Sequence, residues 1–473
     1  MDAANYANPL TELATILYSG IETLLSEYNH QGVAFPLLSQ PFTPSPLDTN
    51  SVVNESTCLI IAAAHQIIAT VRAPAESIQE HATGAYTATA LNLCVDVHVA
   101  DILQGAGAQG IHTRELGTKT NIATKHLYST ARILRYLSTR HIFQEIEPDV
   151  FANNRISSLL IKPHSLNEID ANPDIEFEGA TLAGFVGHAT DECLKASVLI
   201  VPWLKDKSTQ FPSPFNMSIG SSISLFEWFE APENTRRLRR ATAAMTGGGE
   251  RFPATIFTNV THCLTILGFN WKSLKEDAVV VDVGGSVGSV TYTIFQQNKH
   301  LRYVIQDLES IINKEAKQYW EEKMPQALTD GQVTLQVTNF FEFQPVQNAA
   351  VYFLRLILHD WPDEKCLAIL KILRRAAGPL SKLIVFEQIM AYSCKYSGPF
   401  ADVSNPIKAP APLLANLGMG AGGFITMIDM QMLTLFNGKE RTVTEFINLG
   451  SLTGWELEDV KPGLMNAMVF SAV

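Results

Sequence analysis

Cysteine pairs of the kind that hold zinc are absent from this sequence. Its six cysteines stand far apart, at positions 58, 94, 193, 263, 366 and 394. A zinc site is typically built from two close pairs of ligands, and a disulfide framework needs many cysteines in a short chain. The sequence therefore predicts no cysteine-built metal centre, and free thiols in a reducing compartment are the expectation.

A long apolar run and a secretory leader are also lacking. The longest apolar stretch, CLIIAAAHQIIATV at 58–71, is 14 residues long and contains His65 and Gln66. A membrane-spanning helix needs about 20 predominantly apolar residues, so we expect a buried helix instead. The start, MDAANYANPL, has no basic flank before an apolar core, unlike a signal peptide. We expect a cytoplasmic protein without a membrane partner.

Charged residues are sparse and predominantly acidic. They make up 17% of the chain, and 47 acidic against 35 basic residues leave a formal net charge of −12. A surface of this sign repels phosphate backbones, so no nucleic-acid partner is expected. The chain is 46% hydrophobic over 473 residues, which is enough to fill the cores of two or three domains.

The N-terminal part has the apolar spacing of helices. Residues 1–33 carry Leu and Ile at helical intervals, and a Pro- and Ser-rich stretch at 35–50 predicts a surface linker. One long helix is predicted over 51–80 and another apolar helix over 88–104. The Gly- and Ala-rich residues 105–110 are expected to end the second of these helices.

Residues 112–160 have the order of a winged helix. The stretch 112–143 predicts two helices with a turn near 117–121, and QEIEPDVFANNRISSLL at 144–160 predicts a small β-wing. Such a module either binds DNA or joins subunits. Its basic residues are offset by acidic ones: Lys119, Lys125, Arg132, Arg135 and Arg140 against Glu115, Glu145, Glu147 and Asp149. We therefore favour a structural or dimerising role over DNA binding for the mostly helical, winged-helix-like residues 1–165.

The last part of the chain alternates strands with helices, which predicts an α/β domain over 251–473. Its five strand segments are rich in Val, Ile and Leu, as in a parallel sheet that is buried on both faces. Ligands of a doubly wound, Rossmann-like sheet bind at the carboxyl ends of the strands. The segments are AVVVDVGG, RYVIQDL, VTLQVTNFF, AAVYFLRLILH and SKLIVFEQIM.

The first of these segments ends in a glycine loop with Gly284, Gly285 and Gly288. Glycine allows a sharp turn and lets a ligand approach the backbone. Asp307 ends the second strand, 25 residues after Asp282, where a carboxylate can accept both ribose hydroxyls of an adenosine ligand. Because Asp282 would repel a pyrophosphate but suits a cationic sulfonium, S-adenosylmethionine fits better than NAD. The alternative is a tight turn without a ligand.

The fourth strand is predicted to run into His359, which is either a catalytic base at the strand end or a residue that caps the helix predicted at 363–377. Glu387 ends the neighbouring strand, and Glu440 follows a helix with several methionines. A carboxylate that accepts the imidazole N–H fixes the tautomer and raises the basicity of the ring. His359 could then take the proton of a phenolic hydroxyl. No cluster of ligands predicts a metal.

Residues 212–460 resemble the metal-independent small-molecule O-methyltransferases that use S-adenosylmethionine, a family that includes plant caffeic acid and flavonoid enzymes. The segments FEWFEAPEN, VVVDVGGSVGS, RLILHDWPDE and NGKERT are most similar to its fungal group. The resemblance extends more weakly over the N-terminal half, because that family has a winged-helix-like dimerisation domain. It therefore implies a homodimer.

The resemblance also implies roles for individual residues. His359 is the implied base, with Glu387 and Glu440 as its carboxylate partners. The implied cofactor-binding residues are Gly284, Gly285, Gly288, Asp307, Asn339, Phe340 and Arg355. The sequence departs from the family at Asn339, where an aspartate is expected, and at Ser286, where a third glycine is expected. An amide offers one oxygen to an adenine amine where a carboxylate offers two.

Three functions are consistent with these residues. The first is an O-methyltransferase for a phenolic or polyketide-type secondary metabolite. The second keeps S-adenosylmethionine but catalyses a dehydration or pericyclic step, and the third is a winged-helix regulator. The set of His359, Glu387 and Glu440 favours the first. A helical connector at 166–250 is predicted to contribute to a substrate pocket lined by Phe215, Phe226, Met245, Met427 and Met430.

Overall fold

The computed structural model describes residues 8–120, 122, 126–208, 210–246, 269–404, 407–463 and 465–473. The chain forms two compact units. The first comprises Met1–Thr258 with Ala411–Leu413, and the second comprises Asn259–Pro410 with Leu414–Val473. The predicted domain boundary at 250/251 lies outside the described residues.

The first unit is mostly helical, as predicted, and it contains a small sheet. Its helices are α1 Pro9–His30, α2 Ser51–Val71, α3 Pro74–Ala82, α4 Ala85–Asp96, α5 Val99–Gln104, α6 Thr113–Lys119, α7 Leu127–Ser138, α8 Leu166–Ala171, α9 Thr181–His188, α10 Leu194–Ser197, α11 Ile200–Lys205, α12 Pro214–Ile219, α13 Leu225–Glu230 and α14 Thr235–Thr246. The antiparallel strands β1 Ile111–His112, β3 Val150–Ala152 and β2 Gln144–Glu147 lie in that order.

The helix predicted over 51–80 is two helices. Pro74 begins α3, because proline suits the first turn of a helix and breaks the interior of one. The expectation of a buried helix is also wrong for α2, because only 22% of its most apolar 18-residue stretch is buried. By length and composition alone, α2 could cross a membrane. One face of α2 packs on α1, where a Cβ on Gly20 would lie 2.9 Å from Ile60 Cγ1. Among the residues that the structure describes, Val52, Ile68 and Val71 of α2 are exposed.

The winged-helix segment contains α6, α7 and the wing strands β2 and β3, in the predicted order. Arg135 on α7 bonds to the wing, with its Nη2 2.6 Å from Glu145 Oε1 and 2.8 Å from Asp149 Oδ1. Lys119 pairs with Glu115 at 2.9 Å, whereas Lys125 lies outside the described residues. Arg135 and Lys119 are thus each paired with acidic residues of the same segment.

The second unit is a seven-stranded sheet with helices on both faces. Its helices are α15 Ser289–Gln297, α16 Lys317–Lys323, α17 Pro325–Thr329, α18 Asp363–Ala376, α19 Ala401–Ser404, α20 Phe424–Phe436 and α21 Val443–Ser451. Its strands are β4 Val279–Val283, β5 Arg302–Asp307, β6 Val333–Val337, β7 Val351–Arg355, β8 Lys382–Glu387, β9 Trp455–Lys461 and β10 Asn466–Ala472. The strand order is β6-β5-β4-β7-β8-β10-β9.

The five predicted strands are parallel, but the sheet is mixed because β10 runs antiparallel to β8 and to β9. Alternate residues of the central strands face two separate cores. Phe353 and Ile384 pack with Trp320 on one face, while Tyr352 and Leu383 pack on the other. Burial on both faces explains the continuous apolar runs of these strands. The carboxyl ends of the parallel strands lie along one edge of the sheet.

Candidate active site

His359 lies beyond the end of its strand. β7 ends at Arg355, Leu356 has a positive φ of 52°, and His359 lies in a 3-10 turn over Leu358–Asp360. The prediction that the strand runs into His359 is therefore wrong, because the chain turns four residues earlier. The capping alternative is also wrong, since Pro362 is the N-cap of α18. Residues 357–361 are called the His359 turn below.

Two carboxylates flank the imidazole of His359. Its Nδ1 lies 2.8 Å from Glu440 Oε1, and its Nε2 lies 3.5 Å from Asp360 Oδ1. The ring is 8% exposed. Burial lowers the pKa of His359, but Asp360, Glu440 and Glu387 together raise it to about 9. The histidine is thus the cationic centre of a buried acidic cluster, and Asp360 is a member that the sequence analysis missed.

Glu387 binds the backbone of the His359 turn and not the ring. Its Oε1 accepts the N–H groups of Ile357, Leu358 and His359, at 3.2, 2.6 and 3.3 Å. The expectation that Glu387 accepts the imidazole N–H is therefore wrong. Burial raises the pKa of Glu387 to about 7, even though the nearby His359 lowers it. The carboxylate acts as the anchor for three successive peptide groups, whose N–H groups converge on one oxygen.

Residues 437–441 hold the other side of the same turn. The Lys439 N–H donates to His359 O at 2.9 Å, and a Cβ on Gly438 would lie 2.1 Å from that oxygen. The wholly buried Arg441 donates to Leu358 O at 2.7 Å and to Trp361 O at 2.8 Å. Arg441 therefore fixes the carbonyl groups of the turn while Glu387 fixes its N–H groups. This role of the segment NGKER could not be inferred from its spacing.

Acidic partners in turn orient the 437–441 segment. Arg441 bonds to Asp363 Oδ1 through Nε and Nη2, at 3.0 and 2.8 Å. The Glu440 N–H donates to Asp429 Oδ1 on α20 at 2.8 Å. Glu440 is thereby held by its backbone as well as by His359. His359 is thus positioned through both flanking segments, which restricts the motion of its ring.

The glycine loop joins β4 to α15 at the same edge of the sheet. Gly284 and Gly288 have φ angles of +72° and +77°, which a side chain would strain. A Cβ on Gly285 would lie 2.5 Å from Asp282 Cγ. Asp282 is buried and accepts the Thr291 hydroxyl at 2.6 Å, and burial raises its pKa to about 7. Asp282 thus packs against the glycine loop and bonds to the helix that follows it, a role that was not predicted from the sequence.

Asp307 ends β5 beside this loop. Its two oxygens accept the N–H groups of Ser286 and Leu308, each at 2.8 Å. Burial raises the pKa of Asp307, although these N–H groups lower it. A carboxylate oxygen has further lone pairs, so hydroxyl donors would stabilise a charge that burial disfavours.

The remaining predicted cofactor residues surround the same edge. Asn339 lies two residues beyond β6, where its Oδ1 accepts the Phe341 N–H and its Nδ2 donates to Glu342, each at 3.0 Å. A Cβ on Gly284 would lie 3.5 Å from a ring carbon of Phe340. Arg355 ends β7, and its charge lowers the pKa of Asp282. The exposed Asn339 shapes its own loop and keeps an oxygen lone pair for a donor.

Known proteins share both parts of this chain. A family model described as an O-methyltransferase domain matches residues 260–399, and one described as an O-methyltransferase dimerisation domain matches residues 79–163. An O-methyltransferase of Armillaria gallica is 32% identical over 461 residues, covering 95% of this chain and 94% of the relative. The chain belongs to the O-methyltransferase family. A second relative, 4-O-methyltransferase 1 of Phanerochaete chrysosporium, is also 32% identical, with 95% of each protein covered.

Solved structures share the fold of this O-methyltransferase at lower identity. The mitomycin 7-O-methyltransferase MmcR has a TM-score of 0.59 at 20% identity, covering 85% of this chain and 98% of that protein. LepI in complex with S-adenosylmethionine has a TM-score of 0.61 at 20% identity, covering 88% and 94%. The family match confirms the predicted dimerisation module, and it indicates a homodimer.

The O-methyltransferase takes its methyl group from S-adenosylmethionine, and the residues at the sheet edge fit this donor. Asp307 would offer carboxylate oxygens to ribose hydroxyls, Asn339 would offer an amide oxygen to an adenine amine, and the glycine loop presents backbone without side chains. When bound, the donor supplies an electrophilic methyl carbon on a positively charged sulfur.

The predicted substrate-binding residues fall in both units of the O-methyltransferase. Phe215 is 2% exposed and packs edge-on against Trp228, with ring centroids 5.4 Å apart, so it belongs to the core of the first unit. Phe226 and Met245 are exposed in that unit. In the second unit, α20 buries Ile425, Ile428 and Met432 and leaves Met427 and Met430 exposed.

Proposed function

We propose that this enzyme methylates a phenolic hydroxyl of a small secondary metabolite, with His359 as the general base. The observation that carries the proposal is the buried imidazole whose Nδ1 is bonded to Glu440. An ionised carboxylate only accepts hydrogen bonds, so Nδ1 carries a hydrogen. In the neutral imidazole, which is the form that acts as a base, the lone pair therefore lies on Nε2. Nε2 is therefore the atom that would receive the proton of the substrate.

The acidic cluster brings the pKa of His359 close to that of a phenol. A phenolic hydroxyl has a pKa of about 10, and the pKa of His359 is about 9. Proton transfer between groups so close in pKa costs only about 1.4 kcal/mol, and it converts a weak nucleophile into a phenolate. Asp360 lies on the Nε2 side, where its carboxylate would stabilise the imidazolium after transfer.

The anchors of the His359 turn would keep the ring in place during this step. Glu387 and Arg441 bind the peptide groups on either side of His359, and neither contacts the imidazole through a hydrogen bond. We infer that they are positioning residues. Displacing the ring by about 1 Å would cost a large part of the rate, because the transfer needs hydrogen-bond distance.

A labelled-methyl assay tests this function. The purified protein is incubated with S-adenosylmethionine that carries a tritiated methyl group and with a panel of phenols and aliphatic alcohols. We expect label in phenols, and a loss of about 10²- to 10⁴-fold in His359→Ala. His164→Ala, which changes a half-exposed histidine of the first unit, is the matched control.

Binding of the donor is measured separately by calorimetry, so that loss of catalysis and loss of binding are distinguished. Unchanged affinity in His359→Ala, together with the lost rate, supports the role of the base. A rate within threefold of the wild type would contradict it. Tight donor binding by the wild type without transfer to any acceptor would favour the non-methylating alternative. The cytoplasmic location stays a prediction.

A further inference from the structure

In the first unit, the imidazole of His188 lies between a thiol and a carboxylate. His188 Nδ1 is 3.0 Å from Glu192 Oε2, and His188 Nε2 is 3.5 Å from Cys193 Sγ. All three residues are buried, with exposed fractions of 6%, 4% and 8%. A histidine that is held by an acid on one ring nitrogen and faces a thiol on the other is the arrangement that activates a sulfur nucleophile.

A local change of helix type creates this cluster. α9 ends at His188, a π-helical turn follows over Ala189–Cys193, and α10 begins at Leu194. In an α-helix, a residue five positions on is rotated by about 140° and points to another face. The wider π turn brings the fourth and the fifth residue after His188 over the same ring. Single π turns are rare and occur frequently at functional sites.

Charged residues of α14 complete the cluster. Arg240 Nη2 bonds to Glu192 and lies 2.8 Å from Asp191 Oδ2, while Arg237 Nε lies 3.4 Å from Glu192 Oε1. A Cβ on Gly187 would lie 2.4 Å from Arg240 Cδ, so the glycine admits this buried arginine. The two arginines thus pair with Asp191 and Glu192, while Nε2 of His188 faces the sulfur.

The neighbouring elements add few further charges. On α10, Lys195 bonds to Asp191, and on α4, Asp96 pairs with Arg236 at 3.0 Å while Cys94 is buried. The ring of Phe229 lies 6.1 Å from that of His188. Burial lowers the pKa of His188, but Cys193 and Glu192 raise it to about 10. The imidazole is therefore protonated at neutral pH, and its Nε2–H faces the sulfur of Cys193 at 3.5 Å.

We propose that Cys193 is an activated thiol, and that this cluster is a modification site for small soft electrophiles such as haloacetamides, unsaturated carbonyl compounds and quinones. With an unsaturated carbonyl compound, the sulfur forms a C–S bond while the electron pair of the C=C bond moves to the carbonyl oxygen. The thiol proton, held on His188, then passes to the adduct. With a haloacetamide, the halide leaves and the proton goes to solvent. The 8% exposure of Cys193 restricts the site to small reagents.

Site-resolved alkylation tests the proposal on the intact protein. Iodoacetamide is added between pH 6 and pH 8, and each cysteine peptide is quantified by mass spectrometry. The exposed Cys394 serves as the reference thiol. The buried Cys94, whose pKa is raised to about 12 by burial, reports whether the first unit stays folded. We expect Cys193 to be labelled at a rate that changes less than threefold over this range.

Variants of the histidine complete the test. His188→Gln should slow labelling of Cys193 at pH 6 by at least tenfold and restore the steep pH dependence, while Cys94 stays unlabelled. His164→Gln, a matched change elsewhere in the unit, should have no effect. The proposal is overturned if Cys193 labels as slowly as Cys94, if its rate follows the pH dependence of Cys394, or if His188→Gln leaves the rate at pH 6 unchanged.

Discussion

Replacing Glu440 with glutamine removes a charge beside His359 while keeping the shape of the side chain. In the wild type, burial lowers the pKa of His359 and three carboxylates raise it, which moves it from its ordinary value of 6.5 to about 9. At about 1.4 kcal/mol per pH unit, this net shift corresponds to about 3 kcal/mol, which is the least that Asp360, Glu440 and Glu387 contribute together. Loss of one partner should remove about a third of it. We therefore expect the pKa of His359 to fall by about one unit in Glu440→Gln.

The assay is the pH dependence of kcat/KM for methyl transfer at saturating S-adenosylmethionine. Because the active base is the neutral imidazole, the rate rises with pH until His359 has lost its proton. The midpoint of this rise should move down by about one unit in Glu440→Gln, and the plateau should fall about tenfold or more, because the base is weaker and its tautomer less fixed. Glu458→Gln, on β9, removes a remote charge and should change neither. An unchanged midpoint in Glu440→Gln would refute the proposed coupling.

Three further predictions follow from the anchors and the donor site. Arg441→Met should lower the free energy of unfolding in urea by about 2–5 kcal/mol, since Leu358 O and Trp361 O lose a buried donor. Between pH 4.5 and 7, the wild type should lose up to about 3 kcal/mol of its free energy of unfolding through Glu387, and Glu387→Gln should not show this loss. Thermal unfolding without S-adenosylmethionine measures it. The folded state raises the pKa of Glu387 from 4.5 to about 7, so its contribution is fully present below pH 4.5 and is lost as the pH rises through 7. Asp307→Ala should weaken donor binding in calorimetry at least tenfold, because ribose hydroxyls lose their acceptor.

Matched comparisons decide each of these outcomes. Arg441→Lys keeps the charge but not the two-carbonyl geometry, so equal stability of Lys and wild type would contradict the anchoring role. Identical pH dependence of unfolding in Glu387→Gln and the wild type would show that the buried carboxyl does not take up a proton on folding. Donor affinity within twofold of the wild type in Asp307→Ala would place the ribose elsewhere.

The sequence predicted the parallel strands and the position of the glycine loop, because both depend on local composition. Five runs of β-branched and apolar residues became β4 to β8, and Gly284 and Gly288 took up the positive φ angles that only glycine adopts easily. Two strands were missed. β9 and β10 are partly polar, and their pairing with β8 depends on a distant part of the chain.

Local sequence patterns predicted helix boundaries and burial less well in residues 51–80. The apolar periodicity across 51–80 suggested one helix, but Pro74 restarts it, and the exposed face of α2 has the same composition as a buried one. The apolar face of a helix shows that something covers it, and only the packed chain shows how much of it is covered internally.

By itself, the sequence determined the kinds of groups at the carboxyl edge of the sheet: an imidazole, several carboxylates and a loop of glycines. The tertiary structure decided what each group touches. Glu387 and Glu440 are alike as residues, yet one binds three peptide N–H groups and the other binds the ring. The partner of a buried carboxylate is set by which donors the fold brings within about 3 Å, and those donors come from segments up to 81 residues apart.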